Sequence, residues 1–132
     1  MQLEVLFISP STEDAGMLRE MLSPLSVPLR HAANLRDAQN ILERDHYGVV
    51  LTEAHLPDGE WENVVDYVEY RHPHSAVIVT HPFADARFWA SALEMGAYDV
   101  LAQPFCCSEV QRILSNALFS PVELKRANHA AL

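Results

Sequence analysis

Residues 48–59, GVVLTEAHLPDG, constrain this chain more than any other stretch. Two valines and a leucine in an unbroken apolar run, cut off by Pro-Asp-Gly, predict a central strand buried on both faces. Such a strand needs a covering layer above and another below, so the flanking sequence has to supply helices. Glu53 falls at the C-terminal end of this strand. In an open parallel sheet, that edge is where ligands and chemistry gather.

The flanking sequence alternates as required. Residues 3–8 predict a first strand, broken at Ser9 and Pro10. Ser11 with Asp14 resembles a capping arrangement for a helix over about 12–23, which sets Met17, Leu18, Met21 and Leu22 at helical spacing. A connector at 24–28 leads to a short second strand at 29–32. Asn34 then caps a second helix carrying Leu35, Ala38, Ile41 and Leu42. After the third strand at 48–53, a helix over about 60–71 places Val64, Val65 and Val68 on one face. A fourth strand at 76–80 precedes a helix over about 84–95, and Gly96 is placed to be its left-handed C-cap. A fifth strand at 98–102 ends at Gln103 and Pro104, and the last core helix covers about 108–118. Five strands, each followed by a helix through a short connection, imply right-handed crossovers and a parallel sheet. The expectation is a three-layer α/β domain.

A chain of 132 residues is one domain with room for a real core. Its net charge of -9, from 18 acidic and 9 basic residues, argues against a nucleic-acid partner, which needs clustered Lys and Arg. No charge run suggests a membrane patch, and the apolar run at 5–8 is too short for a signal peptide or spanning helix. The two cysteines, Cys106 and Cys107, are adjacent and form neither a disulfide framework nor a metal spacing. A reduced, cytoplasmic protein is expected.

Glu53-x-x-x-Pro57, then Thr80, then Gln103-Pro104-Phe105 together resemble a response-regulator receiver domain. The resemblance is densest at 55–59 and 93–105 and covers residues 3 to about 118. It implies a flavodoxin-like, doubly wound five-stranded sheet with strand order 2-1-3-4-5, and a two-component (phosphorelay) signalling module rather than an enzyme. It also implies that residues 1–118 form the domain, with 119–132 a tail that is a helix or a linker. Ser120 and Pro121 look like a helix start within that tail.

Receivers accept a phosphoryl group on an aspartate at the end of strand three, with Mg²⁺ held by an acidic pair after strand one. A Thr or Ser after strand four and a Lys after strand five bind the phosphoryl oxygens. Such chemistry needs a carboxylate nucleophile, oxygen ligands for a hard cation, and a cation opposite the developing charge. Here Glu53 stands at the phosphoacceptor position, Ser9 and Pro10 at the acidic-pair positions, and Gln103 in place of the lysine. Thr80 fits the pattern, as does Pro104, often a cis-proline site in the family. Val100 stands at the aromatic switch position. Glu13 and Asp14 come three to five residues too late, where acidic residues already suit a helix N-terminus. The resemblance therefore implies a pseudo-receiver with Mg²⁺ binding lost or weak, acting through protein partners. Its expected partner face is helix four, strand five and helix five, and that face could also make a homodimer.

Several residues carry a functional reading beside a bland one. Glu53 could mimic a phosphorylated aspartate, or simply be a leftover carboxylate hydrogen-bonded to Thr80 or water. His55 and His81 could join it in a zinc set, or be solvated loop residues. His72 and His74, around Pro73, read as surface residues. Cys106 and Cys107 start the last helix, where a thiol pKa can fall; the bland reading is two small residues at a helix start. Phe83, Phe88 and Trp89 crowd the fourth helix, and Trp89 is the one expected to stay exposed and meet a partner.

Overall fold

The computed structural model describes residues 3–119. Its central sheet has five parallel strands: β1 (Val5–Ile8), β2 (Leu29–Ala32), β3 (Val49–Glu53), β4 (Ala76–His81) and β5 (Asp99–Ala102). They lie in the order β2-β1-β3-β4-β5, so β3 is central, as its apolar composition requires. Five helices alternate with them: α1 (Thr12–Leu22), α2 (Leu35–Leu42), α3 (Trp61–Arg71), α4 (Ala86–Glu94) and α5 (Cys107–Phe119).

Strand periodicity divides the core in two. Val5, Phe7, Val49, Leu51, Ile78 and Leu101 face Leu18 and Leu22 of α1 and Val110, Ile113 and Leu114 of α5. The alternate residues Leu6, Ile8, Val50, Val77, Val79 and Val100 face Ala38 and Leu42 of α2, Val64, Val65 and Val68 of α3, and Ala92 of α4. The domain is therefore a three-layer, doubly wound sheet.

The caps follow the sequence closely. Ser11 accepts from the Asp14 amide and Asn34 from the Asp37 amide. Gly96 takes φ +114°, a left-handed backbone conformation that favours glycine. The Gln103–Pro104 peptide bond is cis.

Some expectations shift. Helix four begins at Ala86, because Asp85 caps it by accepting from the Phe88 amide. Phe83 consequently sits in the preceding loop and not on the helix. Met17 is exposed on α1, leaving Leu18 and Leu22 to enter the core. α5 continues to Phe119, one residue past the expected boundary, and the expected tail helix or linker falls mostly outside the described residues. His72 is the clearest correction. It is only 9 % exposed, because it closes α3 and its ring packs beside Tyr67 and His46.

Candidate functional site

The C-terminal ends of β1, β3, β4 and β5 gather the residues singled out from sequence. Register pairs Glu53 with Thr80 and Ile8 with Thr52, which sets Ser9 just beyond β1 beside Glu53. The Ser9 side chain is fully buried and its hydroxyl donates to a Glu53 carboxylate oxygen. Ser9 Oγ in turn accepts from the Ser11 amide at 3.0 Å, so the residue that turns the chain into α1 also holds the acid. Glu53 is bonded to Ser9 and not to Thr80. The Thr80 hydroxyl is wholly buried and, among the described residues, has no hydrogen-bond partner.

Burial pushes the Glu53 carboxyl above its ordinary value, and the nearby negative Asp14 pushes the same way. Asp14 thus reaches the site electrostatically from the first turn of α1. Pro10 is exposed and brings no side-chain oxygen. Gln103 follows β5, where its amide N–H donates to the His81 carbonyl at 3.2 Å. Val100 is buried on the α4 side of β5.

The PDG turn after β3 has a different task. Residues 55–56 and 59–60 pair as a two-residue antiparallel ribbon, which sequence periodicity is too short to reveal. Asp58, at its tip, accepts from the Leu35 amide at 2.8 Å and the Arg36 amide at 3.0 Å. Those are the first amides of α2, which have no partner within the helix. The Leu35 amide, and then the Arg36 amide, hold the Asp58 carboxyl below its usual range. At Gly59 a Cβ would lie 2.8 Å from a Leu35 methyl, so the bare backbone lets the turn seat on α2.

His55 and His81 come together, with ring centroids 5.9 Å apart, but Glu53 does not join them in a ligand set. His55 Nδ1 lies 2.6 Å from Glu60, while His81 Nδ1 accepts from the Phe83 amide at 2.8 Å. Phe88 packs on His81 at 4.4 Å and on Trp61 at 5.7 Å. Trp89 points outward, 47 % exposed, its indole N–H donating to Asp99 at 3.1 Å. Phe83, in the preceding loop beside the His81 ring, is 79 % exposed. Cys106 and Cys107 are both exposed free thiols. Cys106 lies just before α5, and a hydrogen bond with the Ser108 hydroxyl leads the interactions that lower its pKa.

Solved structures now bear on this arrangement. The beryllofluoride-activated NtrC4 receiver domain dimer superposes with TM-score 0.82 at 23% identity, over 89% of this chain and 98% of that one. The signal receiver domain of a putative LuxO repressor from Vibrio parahaemolyticus gives 0.82 at 21%, over 99% and 96%. The chain folds as a receiver domain. The receiver domain of the Pseudomonas aeruginosa sensor kinase PA1611 gives 0.78 at 23%, over 91% and 100%, and that structure holds a magnesium ion in its cleft.

Sequence relatives agree, although no family model matches. The chain is 26% identical over 115 residues to the response regulator PilR of Pseudomonas aeruginosa, covering 87% of this chain and 26% of PilR. It is 27% identical over 115 residues to the transcriptional regulatory protein DpiA of Escherichia coli, covering 86% and 51%. The chain thus spans between about a quarter and a half of the length of these relatives. Among the described residues, no helix is long and apolar enough to cross a membrane.

Proposed function

We propose that this receiver domain is a pseudo-receiver, a cytoplasmic signalling module that recognises protein partners and takes no phosphoryl group. The observation that carries the reading is the Ser9–Glu53 hydrogen bond, made where receivers place an acidic pair beside the acceptor aspartate. Mg²⁺ demands near-octahedral oxygen coordination. This edge offers it one certain carboxylate, already engaged by Ser9, and Pro10 adds no oxygen. The donor set does not fit the ion. Gln103 brings no positive charge to a transferring phosphoryl group. Val100, buried and without a ring, supports a single dominant conformation in place of an aromatic switch. The partner face is α4, β5 and α5 around Trp89, and a homodimer could form on it too; the similar NtrC4 receiver domain is a dimer.

Intact mass after incubation with acetyl phosphate and Mg²⁺ tests this. No mass gain is expected; a stoichiometric, acid-labile gain of one phosphoryl group at Glu53 would overturn it. Glu53→Asp alone should also stay unlabelled, and labelling should require Ser9→Asp, Pro10→Asp and Gln103→Lys as well. A working phosphorelay receiver is the second reading, favoured by the buried Thr80 hydroxyl, which among the described residues lacks a partner, at the position where receivers bind phosphoryl oxygens.

A further inference from the structure

The opposite edge of the sheet, before β3 and β4, holds a pair of histidines that the receiver reading does not use. His46 lies in the loop leading to β3, and His72 closes α3 ahead of β4. Their Nδ1 atoms face each other at 3.3 Å, with the rings crossed at 73°. Two nitrogens bound to one tetrahedral zinc at about 2.0–2.1 Å stand about 3.3–3.4 Å apart. A cis pair on a square-planar ion at the same bond length would stand about 2.9 Å apart.

We propose that His46 and His72 form a two-imidazole site for a divalent transition ion of the zinc class, with water completing the coordination. His72 is built for the part. It is nearly buried, with the Tyr67 ring packed beside it. The backbone around it is tied down too. The His72 amide donates to the Val68 carbonyl at 2.7 Å, and the Ser75 hydroxyl bridges to the Tyr47 carbonyl at 2.5 Å. That last bond locks the two loops to each other beside the histidine pair. His46 is exposed, which opens the site to solvent on one side. Zinc binds neutral imidazole. A bound ion would join the loop before β3 to the end of α3 and stabilise the folded chain by mass action.

The test is calorimetric titration of Zn²⁺ into the tag-free, metal-stripped chain, with thermal unfolding followed at rising Zn²⁺. One zinc per chain and a rising Tm are expected, and Mg²⁺ should produce neither. His46→Gln, at an exposed position that keeps the fold, should weaken zinc binding at least tenfold and abolish the Tm rise. His72→Gln should do the same, while His55→Gln and His74→Gln should bind as the parent does. No zinc-dependent rise in Tm, or parental affinity in His46→Gln, would overturn the site and leave the pair as an N–H···N hydrogen bond.

Discussion

The connections after β3 and β4 begin alike and end differently. Each leaves a central strand, turns at a proline and enters a helix with a tryptophan in its first turns. After β3, the turn is fastened to α2 through Asp58 and Gly59, and Trp61 is 6 % exposed. Its amide donates to the Ala54 carbonyl at 2.9 Å. After β4, the turn is held by the His81 ring and the Asp85 cap, and its aromatics Phe83 and Trp89 face solvent. The difference lies in what stands opposite. The first turn meets a helix start with unpaired amides, while the second meets no such partner and keeps its aromatics outside. One connection builds the domain and the other presents a surface.

The largest expected effect tests that division directly. Trp61→Ala removes a buried ring packed on Phe88, so unfolding should show a loss of about 3–5 kcal/mol. A loss below about 1 kcal/mol in chemical denaturation would mean that this corner is not built as described.

The strand ends themselves sharpen the contrast. Thr80, next to last in β4, has a buried hydroxyl with no partner among the described residues, and such a group costs about 1–3 kcal/mol of desolvation. Thr80→Val keeps the shape and removes the hydroxyl, so it should stabilise the domain by about 1 kcal/mol. A destabilised Thr80→Val in the same denaturation experiment would show that the hydroxyl is satisfied in solution.

Much of this was legible in the chain. The apolar run at 49–51 and the spacing of the apolar helix positions specify the alternation of strands and helices and the faces that form both cores, while the strand order came from the family resemblance alone. Gly96 and Pro104 announce their backbone conformations because few residues adopt them. What could not be read depended on contacts distant in sequence. Ser9 reads as a missing acid, and only the register of β1 beside β3 turns its hydroxyl toward Glu53, 44 residues away. The sequence singled out Trp89 as exposed, as it is, but gave no reading of Trp61, whose burial comes from the direction in which α3 docks. His72 looked like a surface residue because its proline neighbour signals a loop; the burial comes from the Tyr67 and His46 rings around it.

The exposed tryptophan should contribute little to folding. Trp89→Ala loses one indole hydrogen bond and a half-exposed ring, so a cost of about 1 kcal/mol is expected. A partner docked on this face should lose ~2 kcal/mol or more of binding with the same variant. A large stability loss with unchanged partner affinity would place Trp89 in the core of the fold.

The smallest effect concerns Glu53, at the end of β3. Burial, and then the charge on Asp14, raise its pKa in the folded state, so the folded chain binds a proton more readily than the unfolded chain. Stability from this group is therefore fully present below the ordinary glutamate pKa and is lost as pH rises through the raised folded value. At neutral pH the carboxylate is held charged in a half-buried site, with only the Ser9 hydroxyl donated to it among the described residues. Glu53→Gln keeps an oxygen for that hydroxyl and removes the charge. The variant should be modestly more stable than the parent at neutral pH, and the gap should close as pH falls below the ordinary glutamate range. Because Glu53 is half exposed, solvent screening keeps the effect small. Urea unfolding of both proteins across that range measures it. A gap that stays constant with pH would mean that Glu53 titrates alike in both states, and that the Ser9 hydrogen bond offsets the burial of the acid.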